Sequence, residues 1–107
     1  MNEYPTEIEL AKIRNWNGSF KDLWEYITRL WNYGEDAYRF YKYGGKYHAE
    51  LHTLGWSGNE DLIEALEHSQ CRFFLMWHSK WLKGGHYYFE ISPNLWKSTM
   101  IIKRKKR

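Results

Sequence analysis

The chain has little that fixes a chemistry outright. It holds one cysteine, two prolines and no apolar run approaching the ~20 residues that span a bilayer. A single thiol, Cys71, excludes an internal disulfide and any multi-cysteine zinc site. Its context, Gln70-Cys71-Arg72 before Phe73 and Phe74, reads as the start of a strand with a buried structural thiol. The N-terminus lacks the charged-then-apolar run of a secretory signal, so no membrane partner is expected and the cytoplasm is the expected compartment. Two prolines, together with clear hydrophobic periodicity, argue against disorder. There is no Walker-type loop and no dinucleotide fingerprint. The run Gly55-Trp56-Ser57-Gly58-Asn59 departs from a nucleophile elbow, because asparagine stands where the second glycine belongs, and the chain is too short for that hydrolase architecture. Neither His52-Thr53-Leu54 nor His78-Ser79-Lys80 supplies the motif of a two-histidine phosphoesterase. No catalytic set is expected, and no cofactor.

Aromatic side chains are abundant instead: seven Trp, nine Tyr and five Phe in 107 residues. One domain of this length cannot bury all of them, so some rings belong on a surface that meets another molecule. A homodimer is one outlet for that surface. The net charge of +3 is concentrated at one end, in Lys103, Arg104, Lys105, Lys106 and Arg107. Without those five, 11 basic residues face 13 acidic ones, so the body of the chain is no bulk-charge nucleic-acid binder. The tail is a solubilising end or a nucleic-acid contact.

Local signals predict the order α-α-β-β-α-β-β. Thr6 with Glu9 forms a capping box that opens a helix running to about Trp16. Ser19 and Asp22 open a second helix, whose Phe20, Leu23, Trp24, Ile27, Leu30 and Trp31 share one face, and Gly34 closes it. Two alternating runs then flank Gly44-Gly45, as in a tight hairpin. Tyr38, Phe40, Tyr47, Ala49 and Leu51 fall on one face, and Arg39, Tyr41, Tyr43, His48, Glu50 and His52 on the other. Ser57 with Glu60 predicts a third capped helix carrying Leu62, Ile63 and Leu66. A second hairpin runs from "RFFLMWHSKWL" through Lys83-Gly84-Gly85 to "HYYFEI" and ends at Pro93. The segment from Asn94 docks as a last strand or a short helix. The fold class that follows is α+β, a four-stranded, mainly antiparallel sheet with helices packed on one face. Residues 1–96 form the single domain, and 97–107 a C-terminal segment ending in the basic tail.

Two places could hold a ligand. "GWSGN" opens a helix, whose free N–H groups and positive dipole end suit an anion; Trp56 would stack on a ring while Ser57, Gly58 and Asn59 approach it. The competing reading makes Trp56 a hydrophobic plug between helix and sheet. The other place is the polar sheet face, where His52, Lys83, Gly84, Gly85, His86, Tyr88, Arg39 and Tyr41, with His48, His78 and Lys80, suit a phosphorylated, ring-containing ligand. His48-x-Glu50-x-His52 also has metal-ligand residue types. Its two histidines lie about 13 Å apart along a strand, so His78 or His86 would have to complete a site, and no metal is expected.

"LHTLGWSGNEDLIEAL" and "FFLMWHSKWLKGGHYYFEI" resemble a group of small accessory proteins of tailed bacteriophages. The shared features fall on Leu51 to Glu60 and Gly84 to Glu90, within a span from Tyr38 to Ile91, and "PTEIELAKIRNW" is similar as well. The group has Arg-Gly-Gly at the turn where this chain has Lys83, which weakens an inferred bidentate phosphate contact. The resemblance implies host manipulation and counter-defence in the host cytoplasm rather than a particular chemistry. The leading expectation is a binding protein that sequesters a nucleotide-like immune signal without catalysis. The alternatives are a protein-docking inhibitor of a host defence complex such as a CRISPR nuclease, an RNA- or DNA-binding module using the tail, and a small metal-dependent hydrolase.

Overall fold

The computed structural model describes residues 3–97. The elements are α1 (Glu7–Arg14), α2 (Phe20–Leu30), a 3-10 turn (Gly34–Asp36), β1 (Tyr38–Tyr43), β2 (Lys46–His52), α3 (Ser57–Glu67), α4 (Phe73–Trp77), β3 (His78–Leu82), β4 (His86–Ile91) and α5 (Pro93–Trp96). The four strands form one antiparallel sheet in the order β1-β2-β4-β3, so β2 and β4, which come from different hairpins, are the central pair. The α+β class and the one-sided helical cover follow from the sequence pattern. Ala49, Leu51, Phe89 and Ile91 are fully buried with Phe20, Leu23, Ile27, Leu62 and Leu66 of the helices. Gly44 and Gly45 both take positive φ in the first hairpin turn, as that turn requires.

Capping chemistry sets several ends. Thr6 and Glu9 make the reciprocal box, with Glu9 N–H donating to Thr6 Oγ1 at 3.1 Å and Thr6 N–H to Glu9 Oε1 at 2.9 Å. Helix α1 stops at Arg14, one turn fraction short of Trp16. Ser19 caps α2 through the Asp22 N–H. The predicted box at Ser57 does not form. The N-cap of α3 is Trp56, which makes no side-chain cap, and Ser57 Oγ donates to the Tyr4 hydroxyl instead.

The largest correction concerns "RFFLMW". The segment is helical over Phe73–Trp77, and the strand begins only at His78. Arg72 takes a left-handed conformation (φ 63°) that turns the chain into this helix, with Cys71 buried just ahead of it. The physical reason is spacing. A helical turn sends Phe73 and Trp77 to the same face, where both meet Phe20 edge-on at 5.7 and 5.5 Å, and lets Phe74 pack on Phe89. A strand would instead have paired Phe73 with Leu75, and Leu75 is 69% exposed. A break in register between His78 and Lys80 then puts His78 on the helical face, opposite Phe89, not on the polar face. After β4, Pro93 opens the short α5, whose Trp96 stacks on Phe40 at 4.8 Å. The basic run Lys103–Arg107 lies outside the described residues.

The helical assignment separates two neighbouring substitutions. Phe73→Ala costs about 3–5 kcal/mol of unfolding free energy, whereas Leu75→Ala stays within about 0.5 kcal/mol, as measured by urea unfolding. Comparable losses at both positions contradict the helix.

Candidate functional site

The sheet face turned away from the helices carries Arg39 and Tyr41 on β1, His48, Glu50 and His52 on β2, and His86, Tyr88 and Glu90 on β4. Pairing brings Arg39, Glu50 and Tyr88 into one cross-strand row and His52 opposite His86 in the next. At the centre lies Glu50, 8% exposed. Its Oε2 accepts from the Tyr41 hydroxyl at 3.2 Å and lies 3.8 Å from the Arg39 guanidinium, and its Oε1 is 3.1 Å from His52 Nε2. These three partners offset the cost of burying a carboxylate. Desolvation, followed by the Glu50 charge and hydrogen bond, holds the Tyr41 phenol above its ordinary range.

The array continues beyond Glu50. His52 Nδ1 and His86 Nδ1 are 2.8 Å apart. When the carboxylate accepts from His52 Nε2–H, the His52 Nδ1 lone pair can accept from a His86 Nδ1–H. That assignment leaves a lone pair on His86 Nε2. A depression of about 170 Å³ sits beside this array, lined by Tyr41, His48, Glu50, Ser79, Lys80, Tyr88 and Glu90. Arg39 lies over the Tyr41 ring at 4.8 Å and Lys80 over Tyr88 at 5.0 Å. His48 stacks on Tyr41 at 5.2 Å, and Lys46 pairs with Glu90 at 3.5 Å.

Backbone contacts fix where the two histidines stand. The His52 N–H donates to Ala37 O at 2.8 Å, its carbonyl accepts from Trp31 Nε1 at 3.1 Å, and the next N–H, of Thr53, donates to Gly85 O at 2.9 Å. Gly85 takes φ 85°, and a Cβ there would overlap the Thr53 hydroxyl. The second turn therefore closes on the end of β2 only with glycine at that place, and His86 follows directly. Lys83 and Gly84 remain at the exposed tip.

Trp56, Ser57, Gly58 and Asn59 lie elsewhere. The indole of Trp56 covers Gly58, where any Cβ would collide with it, and stacks on Tyr4 at 4.9 Å. Asn59 is fully buried: its Oδ1 accepts from Asn32 N–H at 3.0 Å and its amide donates to Thr53 O at 3.3 Å. Gly58 and Asn59 thus face protein, and Trp56 clamps the N-terminal segment. Among the described residues no hydrogen bond joins this group to the open sheet face. The features that residue order alone did not reveal are the reach of Tyr4 across 52 positions and the central role of Glu50. The i, i+2 spacing of Glu50 and His52 pointed to a shared face, but the partner His86 emerges only from the β2–β4 register.

Among the described residues, no group of three or more His, Cys, Asp and Glu is placed to hold a metal ion, and no helix is long and apolar enough to cross a membrane. The fold and face define an α+β protein with a one-sided antiparallel sheet. Comparison with protein families, curated proteins and solved structures finds no match.

His78, removed from the polar face, makes its own prediction. It stacks on Phe74 at 4.3 Å, its buried Nε2 has no hydrogen-bond partner among the described residues, and burial pushes its pKa below 6.5. The unfolded chain then binds the His78 proton more readily than the native one, so native stability falls as the pH drops through about 6.5 and on through the lower native value. Unfolding midpoints measured between pH 7.5 and 5 decline less steeply in His78→Phe than in the unaltered protein.

Proposed function

We propose that the protein is a phage-type counter-defence binding protein, which sequesters a phosphorylated, ring-containing ligand of nucleotide type on the open sheet face without turning it over. The observation that carries the reading is the uncovered face itself. Tyr41 and Tyr88 flank a small depression, with the cations of Arg39 and Lys80 lying over their rings. Stacking and charge-assisted hydrogen bonds come from neighbouring positions there. Arg39 retains 63% exposure beside Glu50, so its remaining N–H groups can reach a phosphate. The phage context rests on the resemblance of the Leu51–Glu60 and Gly84–Glu90 stretches. Trp56–Asn59 are left out of this site because their side chains and backbone are engaged with Tyr4, Asn32 and Thr53.

A second reading has its own observation. Leu75, Met76, Trp81 and Leu82 are exposed on α4 and the edge strand β3, with Trp81 at 52%. Exposed aromatic and aliphatic side chains along a strand that is at the sheet edge among the described residues suit docking on a protein, as an inhibitor of a host defence complex would require.

Thermal unfolding against mononucleotides, cyclic oligonucleotides and ADP-ribose derivatives separates the two. A selective ligand at hundredfold excess over its dissociation constant adds about 2.7 kcal/mol of stability. Arg39→Ala and Tyr88→Ala remove that shift, and Trp81→Ala preserves it. A flat panel, with a host protein captured stoichiometrically by the unaltered chain and lost with Trp81→Ala, replaces the first reading by the second.

A further inference from the structure

The pair His52–His86 is built more tightly than a polar surface requires. Two imidazoles on adjacent strands, opposite one another in register, turn their Nδ1 atoms together at 2.8 Å. The far nitrogen of His52 is held by a buried carboxylate at 3.1 Å, and the Tyr88 ring lies edge-on to His52 at 5.8 Å. A carboxylate behind one imidazole nitrogen is the arrangement that orients a metal-binding histidine and raises its basicity.

We propose that His52 and His86 bind one late first-row divalent ion, zinc, nickel or copper, through their Nδ1 atoms, with Glu50 as the positioning carboxylate. Imidazole pairs select these ions, whereas magnesium and calcium require oxygen ligands. A tetrahedral zinc ion with bonds of about 2.0–2.1 Å needs its two nitrogens roughly 3.3 Å apart, so the rings open by about half an ångström. The proton balance closes within the pair. His52 keeps its Nε2–H on Glu50, and His86 moves its proton from Nδ1 to Nε2, the end of the ring beside Gly84. Two protein ligands leave the other coordination positions to water or to oxygen donors of a ligand on the open face. The site is independent of the nucleotide reading, since the metal alone tests it.

Calorimetric titration of the full chain with zinc is expected to show one ion per chain, and magnesium none. Nickel or copper should broaden amide resonances around His52 and His86 and spare those around His68, whose Nδ1 contacts the Glu64 carbonyl on α3. His86→Asn retains an amide that can donate to His52 Nδ1 but is a poor ligand, so it should abolish zinc uptake while the unfolding midpoint changes little. Glu50→Gln should weaken binding about 10–100-fold. No zinc uptake at millimolar concentration, undiminished uptake by His86→Asn, or broadening centred away from these two histidines overturns the proposal. The broadening pattern is read on the unaltered protein, so it decides the matter even if His86→Asn fails to fold.

Discussion

Everything on the open face depends on one close approach, the contact of Gly85 with Thr53. The Thr53 N–H reaches the Gly85 carbonyl at 2.9 Å, and the space beside the Thr53 hydroxyl has no room for a Cβ. Through that contact the turn of the second hairpin seats on the end of the first. It lies at the end of the β2–β4 pairing, whose register puts His52 opposite His86 and Glu50 opposite Tyr88. A bulkier residue at Gly85 would hold the two hairpins apart at the point where the functional side chains converge.

The sheet also sorts the aromatic surplus. Trp24, Trp31, Trp77 and Trp96 are buried on the helical side, where Trp24 meets Tyr38 and Phe40 and Trp96 stacks on Phe40. Tyr41, Tyr43 and Trp81 stay exposed. The buried rings supply the apolar area and edge-on contacts that hold α2 and α5 against the strands. Of the rings left outside, Tyr41 and Tyr43 belong to β1 beside the polar sheet face and Trp81 to the β3 edge. Each group supports a different partner, a ring-bearing ligand in the first case and a protein in the second.

Several features were readable in residue order because they are local. The capping box of Thr6 and Glu9, the stripe of α2, the glycine pair of the first hairpin and the alternation of β2 each depend on neighbours within a few positions. The segment Phe73–Trp77 was not readable, because short apolar runs carry no decisive period and only the seat beside Phe20 distinguishes helix from strand. Trp56 is a similar case. Between two glycines it has the look of a ligand platform, but Tyr4, 52 positions away, covers the ring, and Gly58 is small because the indole lies on it.

The candidate site divides along the same line. Residue order alone determined that Arg39, Tyr41, Glu50 and His52 share a sheet face, since a strand's side chains alternate with a period of two. Tertiary structure alone decided that His86 joins His52, that Glu50 is buried among three partners, and that His78 and Asn59 face inward. The reason is physical. Alternation assigns a side chain to a face, but which strand lies beside it depends on contacts between segments far apart in the chain, and here those contacts meet at a glycine.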